Sequence, residues 1–540
     1  MSTQVPTPDT ARLEQYAHMT PNIDDKLAKL ATAGNALTFR RGIEREALRV
    51  DPHGNLARTP HPEAFGSKLC HPLITTDFSE SQLELITPVS ESIDDVLAKL
   101  DEIHRVVHAG LDDEILWSAS MPCVLSGDDS IPLARYGSSN LGKLKTTYRN
   151  GLGHRYGRSM QTICAVHYNF SFNDVFWDAL AKAEDGTANA EFRSCRYFDL
   201  MRNFRRFSWL PVYLFGASPA VCNSFVKGRE HQLERFDEGS LYAPGATSLR
   251  SGNLGYQSDT QRGMINICYN SLDTYVSTLA DAITTPFPGY EEIGLVRDGE
   301  HLQVNASILQ SEAEFYTTIR AKCVPPKGEN FLAILRRKGV EYVEVRLLDV
   351  NPYLPLGIDA DEIRFLDTLL TWCVLIPSPE HDTLTCNAVT DNLQRVVWQG
   401  RAAGTTLDDR GDERSIADWG NEVLEAMRPV AAALDRYHGG TAYRDSLQHQ
   451  ADRLADPTKT PSAQILADMK QESIPFFRFA MNKALAHKAA FRDNPPSAET
   501  LLAYREMAET SVVDQRRIEE TDTVDFDRYL ADINRAYLEL

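Results

Sequence analysis

Several short segments alternate between apolar and polar side chains, and this period of two constrains the fold more than any other feature. In CAVHYNFSF, His167 and Asn169 point away from the apolar residues between them. In EYVEVRLLDV, Glu344 and Arg346 likewise share the face opposite a row of apolar residues. A parallel doubly wound sheet would give continuous apolar strands instead. The alternation therefore predicts an antiparallel sheet with one packed and one polar face.

Two more segments add carboxylates to the polar face. Glu44 and Glu46 share a face in RRGIEREALRV, and Glu84 follows Gln82 in SQLELITP. Each segment alone is most simply a strand with its polar side in water. Several such strands in one chain are harder to explain, because carboxylates two residues apart repel each other unless a cation lies between them. Oxygen ligands with one histidine select Mg²⁺ or Mn²⁺, and the lack of cysteine disfavours structural zinc.

A phosphate-loop pattern in the chain is incomplete. Residues 137–143 read GSSNLGK, which matches G-x-x-x-x-G-K, but Leu144 follows where a serine or threonine hydroxyl is needed. The segment before it contains Pro132 and is a poor core strand. The sequence also has no G-x-G-x-x-G opening a βαβ unit and no G-x-S-x-G elbow. These patterns disfavour P-loop, dinucleotide-binding and serine-hydrolase functions.

Charge and composition limit the partners and the compartment. The chain has 56 Lys and Arg against 76 Asp and Glu, a net charge of −20, which argues against a nucleic-acid partner. Its first 20 residues have neither a basic start nor an apolar run, and the most apolar stretch, residues 369–376, is too short to span a bilayer. The nine cysteines form no C-x-x-C pair. We expect a cytoplasmic protein without membrane association.

The chain divides by pattern into two regions. Residues 1–395 mix strand-like and helical segments and are predicted to form an α+β catalytic domain, whereas residues 396–540 are predicted to form a helical region packed on it. The segment GRAAGTTLDDRGDERS is predicted to be a loop. Ser415 and Asp418 resemble a capping box that begins a helix ending at Gly439, with a kink at Pro429. Further helices are expected to begin near residues 462 and 497.

Three residues outside the strands are further candidates. Arg250 lies in GATSLRSGNLGY, six residues before Tyr256, and Tyr148 lies in KTTYRNGLGHRYG. Arginine suits the binding of a carboxylate or phosphate because its planar fork donates two parallel hydrogen bonds. Taken alone, all three could equally be surface loop residues.

A set of longer motifs resembles one known family. These motifs are RRGIEREALRV, GNLARTPHPEAFGS, ITTDFSESQLELITP, MQTICAVHYNFS, YLFGASPAVC, ATSLRSGNLGY and GVEYVEVRLLDVNPY. In this order they resemble the glutamate–cysteine ligases of the γ-proteobacterial type. The resemblance implies a fold related to glutamine synthetase, in which a curved antiparallel sheet has a concave active-site face, helices on its back and a helical C-terminal extension.

The resemblance also implies roles for individual residues. The metal ligands would be Glu44, Glu46, Asp77, Glu84, His167 and Glu344. Arg346, together with Glu344, would be catalytic and face the transferred phosphoryl group, and Arg250 would bind glutamate. Asn169, which shares the polar strand face with His167, would be one of the substrate-binding residues. The cysteine pocket would be lined by Tyr148, Tyr256 and Tyr316.

The implied reaction is the ATP-dependent joining of the L-glutamate γ-carboxylate to the amine of L-cysteine through a γ-glutamyl phosphate. It is the first step of glutathione synthesis, and feedback inhibition by glutathione is implied with it. Two alternatives stay open: a ligase of the same fold with another amine acceptor, and a metal-binding protein that has lost turnover. Cys123 has no matching partner for a family disulfide, so we predict no regulatory disulfide.

Overall fold

The computed structural model describes residues 23–255, 265, 267–326 and 328–540. The strands are β1 Phe39–Val50, β2 Ile74–Thr76, β3 Gln82–Ile86, β4 Ile115–Leu116, β5 Val166–Phe172, β6 Ala220–Cys222, β7 Glu234–Arg235, β8 Ser240–Tyr242, β9 Val296–Arg297, β10 Glu300–His301, β11 Ile319–Lys322, β12 Tyr342–Leu348, β13 Thr406–Asp409 and β14 Asp412–Ser415.

Helices make up most of the remaining regular structure. They are α1 Ile23–Ala31, α2 Ile93–Gly110, α3 Asn140–Tyr156, α4 Arg158–Gln161, α5 Asp174–Ala183, α6 Ala190–Phe207, α7 Trp209–Phe215, α8 Leu272–Thr284, α9 Pro288–Glu291, α10 Phe331–Lys338, α11 Ala360–Leu375, α12 Thr383–Gln399, α13 Ile416–His438, α14 Ala442–Ala455, α15 Pro461–Glu472, α16 Phe476–Asp493, α17 Ala498–Glu520 and α18 Phe526–Leu538. None of the helices in the described residues is long and apolar enough to cross a membrane.

The central sheet has seven strands and confirms the predicted α+β class. Its order is β11-β12-β5-β1-β3-β2, with β4 paired to the far end of β1. Every pairing within it is antiparallel. The predicted alternation is present, since Tyr168, Phe170, Val343 and Val345 are fully buried on one face. We call this side the back face and the opposite side, which carries Glu44 and His167, the site face.

Helices cover the back face. Helix α2 packs on β1 and β3, α6 packs on β11, and α11 packs on α6. Burial of these apolar surfaces supplies the main stabilisation of the layer. Strand β1 is unusual because three arginines, Arg41, Arg45 and Arg49, point to the back face and are at most 3% exposed. Arg41 forms an ion pair of 2.6 Å with Asp367 of α11.

The region after residue 400 is helical except for one β-hairpin, which corrects a prediction. The segment predicted to be a loop forms a β-hairpin of β13 and β14, turning at Arg410 and Gly411, both with positive φ. The predicted helix that follows is confirmed: α13 begins after Ser415, whose hydroxyl accepts from the backbone N–H of Asp418, and it continues through Pro429. The expected helices near residues 462 and 497 are α15 and α17.

The predicted division of the chain at residue 395 falls inside a helix. Helix α12 runs without interruption from Thr383 to Gln399. Helices α13 and α14, which follow the division, pack on α11, which precedes it. The two-domain division therefore stays a prediction.

Buried histidines make the fold sensitive to acid. Burial lowers the pKa of His61, His108 and His381 to about 3 and that of His71 to about 4. The unfolded chain takes up protons on these rings near pH 6.5, whereas the folded chain does not. Their contribution to stability is therefore complete above pH 6.5 and decreases as the pH falls toward these folded values, by roughly 1–2 kcal/mol each at pH 5.

We expect the urea midpoint to decrease from pH 7 to pH 5, above the range in which most carboxylates titrate. Urea unfolding followed by circular dichroism at half-unit pH steps measures this slope. His108 stacks on Phe491 with ring centroids 4.9 Å apart, so His108→Phe keeps an aromatic ring and should make the slope shallower. A midpoint that stays constant across this range would contradict the prediction.

Candidate active site

The polar side chains of four neighbouring strands meet on the site face. Glu44 of β1 lies opposite His167 of β5, and Glu46 lies opposite Glu84 of β3. Glu344 of β12 lies opposite Asn169 on the other side of β5. The strand pairing therefore brings into one patch residues that are separated by up to 300 positions in the sequence.

Five of these side chains form one cluster around His167, which we call the acidic centre: Glu44, Glu46, Glu84, His167 and Glu344. Ligand atoms of Glu44, Glu84 and His167 all lie within 4.8 Å of one another. Glu46 Oε1 lies 3.8 Å from His167 Nε2, and Glu344 Oε1 lies 3.6 Å from His167 Nδ1. Glu46 and Glu344 are each 1% exposed and His167 is 3% exposed, so little water shields these charges.

Mutual repulsion among the carboxylates is visible in their pKa values. Burial, followed by the charge of Asp77, raises the pKa of Glu46 to about 8. Burial, followed by Glu44, raises the pKa of Glu84 well above its ordinary value. Two neighbouring carboxyl groups therefore favour their protonated forms until a cation balances them.

The acidic centre fits a hard divalent cation. Its oxygen ligands and single imidazole are the donors that Mg²⁺ and Mn²⁺ accept. The buried Nε2 atom of His167 has no hydrogen-bond partner among the described residues, which is the position expected of a ligand atom. Burial, followed by the charge of Arg346, lowers the pKa of His167, which keeps the ring neutral and able to ligate.

Glu344 differs from the other carboxylates because cations surround it. Arg346 Nη1 donates to Glu344 Oε1, and Lys322 Nζ lies 3.0 Å from Oε2. Burial raises the pKa of Glu344, but the charges of Arg346 and Lys322 outweigh burial and hold it well below its ordinary value. Glu344 is therefore ionised. It joins the acidic centre to a group of cations that we call the cationic cluster: Arg346, Lys322 and, beside Arg346, Arg250.

Asp77, a predicted metal ligand, lies at the border of the acidic centre. Its Oδ1 atom is 3.5 Å from Arg149 Nη2 of α3. Its charge contributes to the raised pKa of both Glu46 and Glu84. Asp77 thus adds negative charge near the acidic centre, although its closest charged contact is an arginine.

The predicted substrate-binding arginine lies beside the predicted catalytic arginine. Arg250 is 3% exposed, and its Nη2 donates to the backbone oxygen of Arg346 over 2.6 Å. Its Nη1 lies 3.7 Å from Asp349 Oδ1. A small cavity of about 60 Å³ opens here, lined by Arg250, Ser251, Tyr316, Thr317, Thr318, Arg346, Leu347 and Leu393. The two guanidinium groups therefore lie at the wall of one cavity.

The other predicted binding residues lie in different surroundings. Tyr316 borders this cavity, and its hydroxyl accepts from Gln161 Nε2 over 3.0 Å. Tyr148 lies on α3, next to Arg149 in the sequence. Asn169 Nδ2 donates to Glu44 Oε1 over 2.9 Å, so it orients a carboxylate of the acidic centre. Tyr256 falls outside the described residues.

Sequence reasoning missed three cations near the site: Arg149, Arg320 and Lys322. Arg320 and Lys322 lie two residues apart on β11, and Arg320 is opposite Glu344 in the strand register. The charges of Glu344 and Glu44 raise the pKa of Lys322 against the effect of burial. The pair in TTIRAKCV shows the same i, i+2 spacing as Glu44 and Glu46, and this was the available signal.

Comparison with known proteins shows the family. The sequence profile of glutamate-cysteine ligase matches residues 26–396. A glutamate–cysteine ligase of Alcanivorax borkumensis is 47% identical over 527 residues, covering 96% of this chain and 99% of the relative. One from Pseudomonas paraeruginosa is 47% identical over 517 residues, covering 95% of this chain and 98% of the relative.

Solved structures agree with the sequence relatives. The crystal structure of glutamate–cysteine ligase from Francisella tularensis in complex with AMP has a TM-score of 0.87 at 34% identity, and covers 93% of this chain and 98% of that chain. A bifunctional glutathione synthetase from Pasteurella multocida has a TM-score of 0.67 at 23% identity, covering 91% of this chain and 57% of that chain, and supports the fold alone.

An antiparallel sheet with buried carboxylates beside a cationic cluster defines an enzyme site that can hold a divalent cation and bind anionic substrates. The profile match and the relatives then assign the enzyme: the chain belongs to the glutamate–cysteine ligase family.

Proposed function

We propose that this enzyme uses ATP to join the γ-carboxylate of L-glutamate to the amine of L-cysteine, forming γ-glutamylcysteine, ADP and phosphate. Family membership and the AMP complex of the Francisella relative support the use of ATP. The observation that carries the proposal is the direct contact between the acidic centre and the cationic cluster through Glu344. A reaction between two anions, a carboxylate and a nucleotide phosphate, requires both types of charge in one site.

The acidic centre is assigned to divalent cations, with Mg²⁺ as the expected ion and Mn²⁺ as a substitute. Glu44, Glu84 and His167 would hold one cation, and Glu46 and Glu344 lie close enough to contribute. When bound, such a cation supplies positive charge that polarises phosphoryl oxygens. The raised pKa values of Glu46 and Glu84 support this role, because cation binding would release their protons.

The cationic cluster is assigned to the anionic groups of the substrates. Arg346 would contact the transferred phosphoryl group, since its guanidinium lies between Glu344 and His167, 3.5 Å from His167 Nδ1. Arg250 would bind a glutamate carboxylate at the cavity that it shares with Arg346. Lys322, bound to the other oxygen of Glu344, adds a positive charge at the opposite edge of the cluster.

The amine pocket is assigned to the region of Tyr148 and Tyr316. The γ-carboxylate attacks the terminal phosphate of ATP, ADP leaves, and the amine then displaces phosphate from the γ-glutamyl phosphate. The second step needs an uncharged amine held close to the acyl carbon, and two aromatic side chains that limit access to water suit this task. The inhibition by glutathione implied by the resemblance and the cytoplasmic location expected from the sequence both stay predictions.

Phosphate release tests the proposal. Purified enzyme with ATP, glutamate and Mg²⁺ should release phosphate much faster with cysteine than with alanine or ammonia, and mass spectrometry should detect γ-glutamylcysteine. EDTA should stop the reaction, and Mg²⁺ or Mn²⁺ in excess should restore it. Equal rates with all three amines would favour the ligase with another acceptor. No turnover in the presence of bound nucleotide would favour a binding protein.

A further inference from the structure

The end of the chain lies against the segment that carries Tyr316. We call residues 301–316 the wall segment, because it runs along α3 and ends at Tyr316. Apart from a single 3-10 turn at Glu312–Glu314 and the last residue of β10, it has no regular structure. Backbone hydrogen bonds join it to residues 282–295 through Leu302, Ala306, Ile308 and Leu309. Side-chain contacts to α3 and α18 add to these bonds.

Helix α18 contacts the wall segment along its length. The Tyr537 hydroxyl donates to Glu312 Oε2 over 2.7 Å, and Tyr537 is 7% exposed. One turn earlier, Asn534 Nδ2 donates to the Val304 backbone oxygen over 3.4 Å. Near the start of α18, Asp527 Oδ1 lies 2.9 Å from the Nε2 atom of His301. These contacts follow one face of α18 and reach both ends of the wall segment.

The wall segment in turn contacts α3. Gln310 Nε2 donates to the backbone oxygen of Tyr148 over 3.1 Å. Glu314 Oε1 accepts from Arg155 Nη1 over 2.9 Å and from the Tyr156 hydroxyl over 2.7 Å. The Arg155 and Glu314 side chains are fully buried. The wall segment therefore contacts both α18 and the helix that carries Tyr148.

The turn before α18 fixes the start of α3 as well. Asp522 Oδ2 accepts from the Asn140 backbone N–H over 2.5 Å, and Glu519 Oε1 accepts from that of Ser138 over 2.8 Å. Asn140 Nδ2 donates to the Val524 backbone oxygen over 2.9 Å. Carboxylates of the protein itself therefore accept from two N–H groups of the GSSNLGK segment, those of Ser138 and Asn140, which disfavours phosphate binding there.

From this geometry we propose that α18, through Tyr537, is a positioning element for the amine pocket. Tyr537 is a positioning residue because it would act on Tyr148 and Tyr316 through the wall segment, in addition to the direct packing of α18 on α3, and it is not part of the acidic centre. The inference rests on the proposed function, since it assigns a role to the same pocket. The proposal predicts that changes in α18 alter the KM for the amine but leave the KM for ATP unchanged.

The substitution Tyr537→Phe removes a single hydroxyl and tests this proposal. The KM for cysteine should rise about fivefold, the effect of one hydrogen bond of about 1 kcal/mol. The kcat and the KM for ATP should change less than about twofold. Amide hydrogen exchange of residues 301–316 should become faster in the variant. Arg528→Ala, which removes an exposed ion pair to Asp532 on the same helix, is the matched control and should leave all these values unchanged.

The acceptor side provides a second test. Glu312→Gln keeps an oxygen that accepts from Tyr537 and should have a near wild-type KM for cysteine, whereas Glu312→Leu should repeat the effect of Tyr537→Phe. Unchanged cysteine KM and exchange in Tyr537→Phe would overturn the proposal, as would an equal rise in the KM of all substrates. If the wild-type enzyme did not use cysteine, the proposed function would be wrong. Amide hydrogen exchange of the wall segment in Tyr537→Phe would still test whether α18 holds this segment.

Discussion

Replacement of Glu344 with glutamine is expected to lower kcat by two to three orders of magnitude. Glutamine keeps the shape of the side chain but removes the negative charge that holds Arg346 and Lys322 and faces His167. The loss of one preorganised electrostatic contact in a buried site costs about 3–4 kcal/mol of transition-state stabilisation. Initial rates of phosphate release at saturating ATP, glutamate and cysteine measure the effect.

A nearby exposed carboxylate provides the control. Glu341 lies three positions before Glu344 in the sequence, and its exposed side chain accepts from the Val324 backbone N–H, so Glu341→Gln is the control. Its kcat should stay within about twofold of the wild type, because an exposed charge is screened by water. Glu344→Gln with a normal melting temperature and a kcat within threefold of the wild type would exclude a role for Glu344 in catalysis.

The largest loss of stability is expected for Asp367→Ala. Asp367 is fully buried, its two oxygens accept from Arg41 Nε and Nη2, and the Tyr168 hydroxyl donates to it over 2.6 Å. The alanine variant leaves the Arg41 guanidinium buried without its charge partner. Breaking a buried pair in this way costs about 3–5 kcal/mol. Urea unfolding at pH 7.5 measures the change in the free energy of unfolding.

An exposed ion pair separates the effect of burial from that of charge. Glu425 and Arg428 of α13 form a pair of 2.7 Å whose side chains are 64% and 41% exposed. Glu425→Ala should change the free energy of unfolding by less than about 1 kcal/mol. Similar losses for Asp367→Ala and Glu425→Ala would show that Arg41 finds water or another partner when Asp367 is removed.

The composition of the site face could be predicted because a period of two decides which residues share a face before any pairing is known. The spacing of two residues was enough to predict that Glu44 shares a face with Glu46, and that Glu344 shares a face with Arg346. The order of the strands has no such local signal. Strands β11 and β12 are consecutive and separated by α10, but no local pattern gives their pairing or register, so Lys322 could not be assigned to Glu344 in advance.

The back face of β1 shows where pattern reading fails. On the back face of β1, arginines alternate with Phe39, Ile43 and Ala47, so the sequence alone does not predict that these arginines are buried. Arg41 and Arg49 are buried because Asp367 and Glu114, which are 326 and 65 positions away, reach them. The loop predicted for residues 400–415 failed for a related reason, since Asp408 and Gly411 favour a tight turn within a hairpin as much as an open loop.

The separation of opposite charges on the two faces of β1 bears on how accurately the sheet folds. A slip of one residue exchanges the two faces of a strand. In β1 such a slip would bring Glu44 and Glu46 toward Asp367 and move Arg45 to the site face. Misaligned pairing would thus place like charges together behind the sheet, instead of only exposing apolar side chains. Strand β1 is therefore suited to select the correct alignment of its neighbours β3 and β5 during folding.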